Sequence, residues 1–356
     1  MGTSEHRRHS SIQYRLFAAM SLFVAAYANA YAGSYEQRHF DGVRMEIDND
    51  LFAVKQRDRD YTGGFSLTVS GRTARDSLLS LDPVLDRLNR LTLAQRGESN
   101  VRHARQIGLI AFTPANTLAA ELLPDDRPYA NLLFLANGRV RVDADGRGAW
   151  SSSITLGMLG LPLMKRVHDA VHEIVGSAKP RGYDHQISAG GEPAARYTVA
   201  RQHLWVANSA ANMDVKTTVQ GSVGYLTAAS AAITVRLGRF STAWWSFAPE
   251  LADYAAAPVP VATSRHALPE AYLFSGIRLQ ARLYNVFLQG QFRGSELRYS
   301  ASEVEPLVAI GWIGMVTEVF EQTMLSYTLN YQTAEVRRGD AARDACWGAV
   351  QLTHAF

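Results

Sequence analysis

The chain has 356 residues, with 36 basic and 33 acidic side chains and a formal net charge of +3. Near-balanced charge without a dense basic run gives no electrostatic case for nucleic acid as a partner. A single cysteine, Cys346, excludes an internal disulfide framework and a cysteine-based zinc knuckle.

The N-terminus reads as an export signal. Arg7, Arg8 and Arg15 form a basic region, and Leu16 to Ala28 is apolar. Ala28-Asn29-Ala30 or Ala30-Tyr31-Ala32 supplies the small-x-small cleavage pattern. We expect a cleaved signal peptide over residues 1–32 and one domain over 33–356; an uncleaved anchor is the alternative, although the apolar run is short for a span. No later stretch of about 18 consecutive apolar residues occurs. A secreted soluble protein and an outer-membrane barrel both remain.

The rest of the chain alternates with period two. Phe65, Leu67 and Val69 interleave with Ser66, Thr68 and Ser70. Val140 and Val142 interleave with Arg139, Arg141 and Asp143; Ile277, Leu279, Ala281 and Leu283 with Arg278, Gln280, Arg282 and Tyr284. Strands of about nine to eleven residues, apolar on one face and polar on the other, are the signature of a transmembrane barrel. The apolar set should then face lipid and the charged set the lumen, because charge is costly on the lipid face. Candidate strands cover 43–54, 63–72, 105–113, 132–143, 149–159, 197–207, 215–225, 231–237, 274–289, 307–316, 324–335 and 347–356; the weakest are 149–159 and 231–237. The expected fold is all-β: an antiparallel transmembrane barrel of about twelve strands, with a short helix in an extracellular loop. Trp150, Trp205, Trp244, Trp245, Trp312 and Trp347 near strand ends suit interfacial girdles. The terminal Phe356 resembles the C-terminal signal read by the barrel-assembly machinery.

Two segments leave this pattern. Residues 77–100 look helical through Leu78, Leu81, Leu85, Leu88 and Leu91. In the connection 161–193, Val167, Ala170, Val171, Ile174 and Val175 recur at helical spacing, which stacks His168 over His172. Such a pair is more often surface or packing than a site.

Four polar clusters carry chemistry. Glu46, Asp48, Asn49 and Asp50 crowd oxygens that suit a hard cation, or else a lumenal hydrogen-bond network. Asp58-Arg59-Asp60-Tyr61-Thr62 follows, then Asp125-Asp126-Arg127-Pro128-Tyr129-Ala130, which reads as a loop locked by Asp–Arg pairing. The fourth is the histidine helix with Gly182-Tyr183-Asp184-His185-Gln186. No Gly-x-Ser-x-Gly elbow, phosphate loop or His-Glu-x-x-His motif occurs.

In this order the motifs resemble the outer-membrane lipid A 3′-O-deacylase (LpxR-like) family. The resemblance runs from Glu46 to Glu192 and continues loosely through Tyr331 to Glu335 and Phe356. It implies a Ca²⁺-dependent esterase in the bacterial outer membrane, among outer-membrane lipids, that hydrolyses the 3′ acyloxyacyl ester of lipid A in lipopolysaccharide. The family histidine maps onto His172, its asparagine–aspartate pair onto Asn49 and Asp50, and its hydroxyl residue onto Thr62. On this reading His172 is the base, Asp50 and Asp48 hold the ion, and Asn49 and Thr62 orient substrate or water. His168, Lys165, Arg166, Lys179 and Arg181 would contact substrate, the cations meeting its phosphates.

The chain departs from the family pattern at His168, at Ala178 and at Thr117-Leu118. These departures keep open a barrel of the family whose catalysis is altered or lost, serving a structural or lipid-binding role. Another outer-membrane lipid esterase, and a zinc site of His168, His172 and His185, are further alternatives.

Overall fold

The structure, a computed structural model, describes residues 37–53, 60–92, 101–162, 165–166, 169, 173, 179–208, 212–262 and 268–356. The expected signal peptide lies outside these residues, as do Asp58, Arg59, His168, His172 and Ala178.

Twelve strands close a barrel: β1 (Gly42–Asn49), β2 (Asp60–Ser70), β3 (Val101–Thr113), β4 (Ala130–Val142), β5 (Gly148–Leu159), β6 (Glu192–Asn208), β7 (Met213–Gly224), β8 (Leu226–Arg239), β9 (Ala271–Asn285), β10 (Leu307–Phe320), β11 (Thr323–Gln332) and β12 (Ala345–Ala355). Each pairs antiparallel with its chain neighbours, and β12 closes on β1 with Gly42 opposite Ala355 and Asn49 opposite Gly348. All twelve candidate strands fall on these elements. The weak candidate 231–237 belongs to a 14-residue strand, because alanines on both faces of its first half mute the hydropathy contrast. The last strand stops at Ala355, and Phe356 lies just beyond it, its backbone amide donating to the Asp41 carbonyl at 2.9 Å.

The alternation sorts as expected around most of the wall. On β9, Ile277, Leu279 and Leu283 are exposed on the outside, while Arg278, Gln280 and Arg282 are buried in the lumen. Hydrocarbon accepts the first set without cost, and the lumen supplies partners for the second. We call the end where β1 begins and β12 ends the lower end, and the opposite rim the upper end.

Two long lower connections fold back onto the barrel. Between β8 and β9, residues 240–262 rise into the lumen as a plug. Trp245, Leu251 and Val259 pack against Val140, Ala149 and Ala200 of the wall. Asp253 takes ion pairs from Arg196 and Arg278, and Glu250 one from Lys216. The plug lies so close to β4 that a Cβ on Gly138 would stand 2.0 Å from the Pro258 carbonyl oxygen. This packing corrects the girdle expectation. Trp312 and Trp347 are buried inside, and Trp244 and Trp245 belong to the plug. Trp205 is 60% exposed on the outer wall.

The connection from β2 to β3 carries α1 (Arg72–Asp76) and α2 (Asp82–Thr92), which lie on the outside of the wall. There the expected facing of β4 is reversed. Val140 points into the lumen against the plug, and Arg139 points outward to pair with Asp82 and Asp86 of α2. An arginine facing lipid costs about 2–4 kcal/mol at mid-membrane. The helix removes that cost by covering it.

Candidate active site

The expected site residues Asn49, Asp50 and Thr62 lie at the upper rim, where β1 ends and β2 begins. Lumenal and outer side chains alternate there, so neighbours in sequence part company. Asp48 is buried in the lumen, 2.6 Å from the Tyr61 hydroxyl. The same hydroxyl lies 2.5 Å from the Tyr254 carbonyl oxygen of the plug, so one proton serves two acceptors. Asn49 stands on the opposite face. Its Oδ1 accepts from the Leu51 amide at 2.7 Å, capping the 3₁₀ turn Asp50–Phe52. Its Nδ2 donates to the Thr62 carbonyl at 2.6 Å. Asn49 thus fixes the turn that presents Asp50 and ties that turn to β2. Asp50 is buried at this rim, 3% exposed.

Thr62 sits at a bulge, where the pairing of β2 with β3 skips from Tyr61 to Gly63. The bulge turns its hydroxyl away from the lumen, to within 2.7 Å of the Thr113 hydroxyl at the end of β3. Gly63 makes the arrangement possible. Its φ is +146°, and a Cβ there would lie 2.5 Å from the Asp48 carbonyl and 3.0 Å from Asn49 Nδ2. We therefore expect Gly63→Ala to push Asn49 off the turn. A displacement of that size costs an aligned site on the order of 100-fold in turnover, measurable as initial rate in a mutant that still folds and shows a heat-modifiable band.

Of the expected residues, the structure brings Asn49, Asp50 and Thr62 together. Asp48, expected beside Asp50 as an ion ligand, is on the lumenal side and engaged with Tyr61. Among the described residues no three histidine, cysteine, aspartate or glutamate side chains converge as a metal site. His172 and His168 lie outside the described residues. The described residues of their predicted helix, Lys165, Arg166, Asp169 and Glu173, are helical. Lys165 pairs with Asp169 at 2.9 Å and Lys179 with Glu173 at 3.0 Å, while Arg166 and Arg181 are exposed. The second half of this connection is strapped to the β3–β4 connection. Asn131 Nδ2 at the start of β4 donates to Gln186 Oε1 at 2.6 Å, the Arg181 amide donates to the Thr117 carbonyl at 2.9 Å, and the Tyr129 and Tyr183 rings meet at a tilt, their centroids 4.5 Å apart. His185 joins these loops to a third, 2.5 Å from Glu296.

The Asp-Asp-Arg loop is locked, but not by its own pairing. Asp126 accepts from Arg343 at 2.8 Å, and Arg343 also reaches Asp60 at 2.7 Å. Arg127 pairs with Glu335 at 2.5 Å. Sequence reasoning missed Thr113, Tyr254 and Arg343. Among the arginines of residues 337–343, nothing in the local pattern distinguishes Arg343.

A family model described as "Outer membrane protein LpxR" matches residues 16–356. No curated protein matches the sequence. Among solved structures, LpxR from Salmonella typhimurium is similar with a TM-score of 0.70 at 16% identity, over 88% of this chain and 100% of that one. An outer membrane channel from Pseudomonas putida F1 aligns at a TM-score of 0.44 and 8% identity, covering 92% of this chain and 100% of that one. The translocator domain of the autotransporter NalP from Neisseria meningitidis aligns at 0.40 and 10% identity, covering 98% and 96%.

Proposed function

The chain belongs to the LpxR family of outer-membrane proteins, and from that premise we propose that it is a Ca²⁺-dependent lipid A deacylase that hydrolyses the ester-linked 3′ acyloxyacyl chain. The observation that carries the reading is the facing of the site. Thr62 and Asn49 stand on the side of the wall away from the lumen, at the upper rim. A lipid held in the adjoining leaflet reaches that side by lateral diffusion, whereas a lumenal site would serve a solute.

Ester hydrolysis needs a water made nucleophilic and a charge stabilised on the carbonyl oxygen. His172 takes the proton of the attacking water and returns it to the 3′ oxygen as that group leaves, the role an imidazole can fill near neutral pH. Asn49 positions Asp50, and the Thr62–Thr113 hydroxyl pair orients the water or the ester. We assign Asp48 to bracing the turn from the lumen through Tyr61. We assign Asp50 as the carboxylate ligand of the ion, a hard cation that takes oxygen donors. Ca²⁺, when bound, supplies Lewis-acid polarisation of the ester carbonyl. Lys165, Arg166, Lys179 and Arg181, with His168, meet the phosphate-bearing head of lipid A.

Mass spectrometry of lipid A from cells with and without the protein tests this reading. We expect loss of the 3′ acyloxyacyl mass in its presence. Unchanged lipid A with Ca²⁺ supplied overturns the reading. After calcium-selective chelation, add-back of Ca²⁺ rather than Zn²⁺ should restore the reaction.

A further inference from the structure

The pair α1–α2 leaves large apolar side chains on the side turned away from the barrel. Asp82 and Asn89 are buried against the wall beside Leu85, while Val84 and Leu91 of α2 and Leu78 and Leu79 of the joining turn are turned out. On the inner side a row of polar contacts joins the pair to the wall. His103 Nδ1 lies 3.0 Å from Asp82 Oδ1, and Arg139 Nε donates to the same oxygen at 2.8 Å. Asn137 Nδ2 donates to the Ala74 carbonyl at 2.9 Å, and the Leu81 amide donates to Asn137 Oδ1 at 3.1 Å. At the far end the Tyr197 hydroxyl donates to Asn89 Oδ1 at 2.9 Å. The helices therefore lie across the outer faces of β3, β4 and β6.

On the other side Leu78 is fully exposed, Leu79 71%, Leu91 80% and Val84 44%. The exposed side chains of Arg87 and Arg90 stand among them. Above the polar contacts the outer faces of β3 and β5 carry Ile107, Leu156 and Met158, exposed in the lipid-facing belt of the wall. What covers the belt also covers the outer face of α2. Arginines beside exposed leucine and valine suit the headgroup–acyl boundary, because their long side chains snorkel from the acyl chains to the headgroups. The helices belong to the lower end, where the connections 143–147 and 321–322 are short turns. Short turns are periplasmic in outer-membrane barrels.

We propose that α1–α2 is an interfacial foot seated in the periplasmic leaflet. Leu78, Leu79, Val84 and Leu91 lie among the acyl chains of glycerophospholipid, and Arg87 and Arg90 lie at anionic headgroups. The foot serves two ends at once. It hides the polar seam of the wall from hydrocarbon, and it fixes the depth and tilt of the barrel from the side opposite the proposed active site. The proposal depends on the barrel spanning a membrane and not on deacylation.

The test places an environment-sensitive fluorophore on Leu79→Cys or Leu91→Cys, each in a Cys346→Ser background, with Asp145→Cys in the exposed lower turn as reference. The full barrel is reconstituted in phosphatidylcholine–phosphatidylglycerol vesicles. Acyl-brominated lipid should quench the probes at 79 and 91 at least twofold more than the probe at 145, and aqueous iodide should show the reverse order. Moving to pure phosphatidylcholine should weaken lipid quenching at 91, and Arg87→Glu with Arg90→Glu should abolish that dependence on phosphatidylglycerol. Iodide quenching at 79 and 91 equal to that at 145 places the face in water and overturns the proposal. Protection from iodide without quenching by brominated lipid means that protein covers the face, and also overturns it. Indifference of lipid quenching to phosphatidylglycerol overturns the headgroup assignment.

Discussion

Replacing His172 with alanine should lower lipid A deacylation by two to four orders of magnitude, the usual contribution of a positioned general base. Asp50→Asn should fall into the same range but respond differently to the ion. If Asp50 holds Ca²⁺, the amide weakens binding, and part of the rate returns at high Ca²⁺. The His172→Ala rate should stay low at every Ca²⁺ concentration, because no ion replaces the proton acceptor. Asp50 lies in the 3₁₀ turn beyond β1, and His172 falls in the sequence between β5 and β6, so both variants should keep the heat-modifiable band of the folded form. Initial rates on purified lipid A across a Ca²⁺ titration separate the two roles. Full activity in His172→Ala would remove the base assignment, and an Asp50→Asn rate that ignores Ca²⁺ would remove the ligand assignment.

The second large effect is on stability, and it comes from a residue with no part in the proposed chemistry. Glu335, 6% exposed, sits at the base of the β11–β12 connection. It accepts from Arg127 at 2.5 Å, from Arg282, from the Tyr254 hydroxyl of the plug and from Asn285 Nδ2 at 3.2 Å. Glu335→Ala leaves two guanidinium groups buried without their shared counter-charge. Breaking a buried pair from one side costs about 3–5 kcal/mol, and here one carboxylate serves two cations. The plug tip loses its anchor together with the β3–β4 connection, so the loss should spread to the Tyr61–Asp48 contact beneath the site. Denaturant unfolding in vesicles reads this as a lower midpoint. A Glu335→Ala midpoint equal to that of the unaltered barrel would show that the network contributes nothing net.

The same residue sets an acid limit. Burial alone would raise the Glu335 pKa, but Arg127 and Arg282 outweigh it and bring the carboxyl from 4.5 down to about 2. A depressed folded pKa means that the charged form is favoured in the folded state. Its contribution is complete above pH 4.5 and is lost as pH falls from there through about 2. The unaltered barrel should therefore lose stability across that window, and Glu335→Gln should flatten the dependence there.

The period-two alternation by itself determined the strands. Most of the twelve were clear because barrel strands are long, and lipid and lumen demand opposite polarity at successive residues; 231–237 was faint because its alanines blur that contrast. The order of the polar motifs likewise placed Asn49, Asp50 and Thr62 at one rim, because β1 and β2 form a hairpin and its ends meet whatever the rest does. Alternation tells only which residues share a face. On β4 the face that meets lipid elsewhere is covered by α2, and the lumenal face meets the plug, so Arg139 is outside and Val140 inside. The same limit separated Asp48 from Asn49. One residue's difference in parity puts a carboxylate on the other side of the wall, and the 3₁₀ turn that follows breaks the parity before Asp50. The partners of the buried charges lay beyond the sequence altogether. Glu335 meets Arg127 from 208 residues away, and Arg343 meets Asp60 from 283 away. Closure of β12 on β1 and the fold of the plug decide which of many arginines arrives at each carboxylate, and no local pattern encodes either.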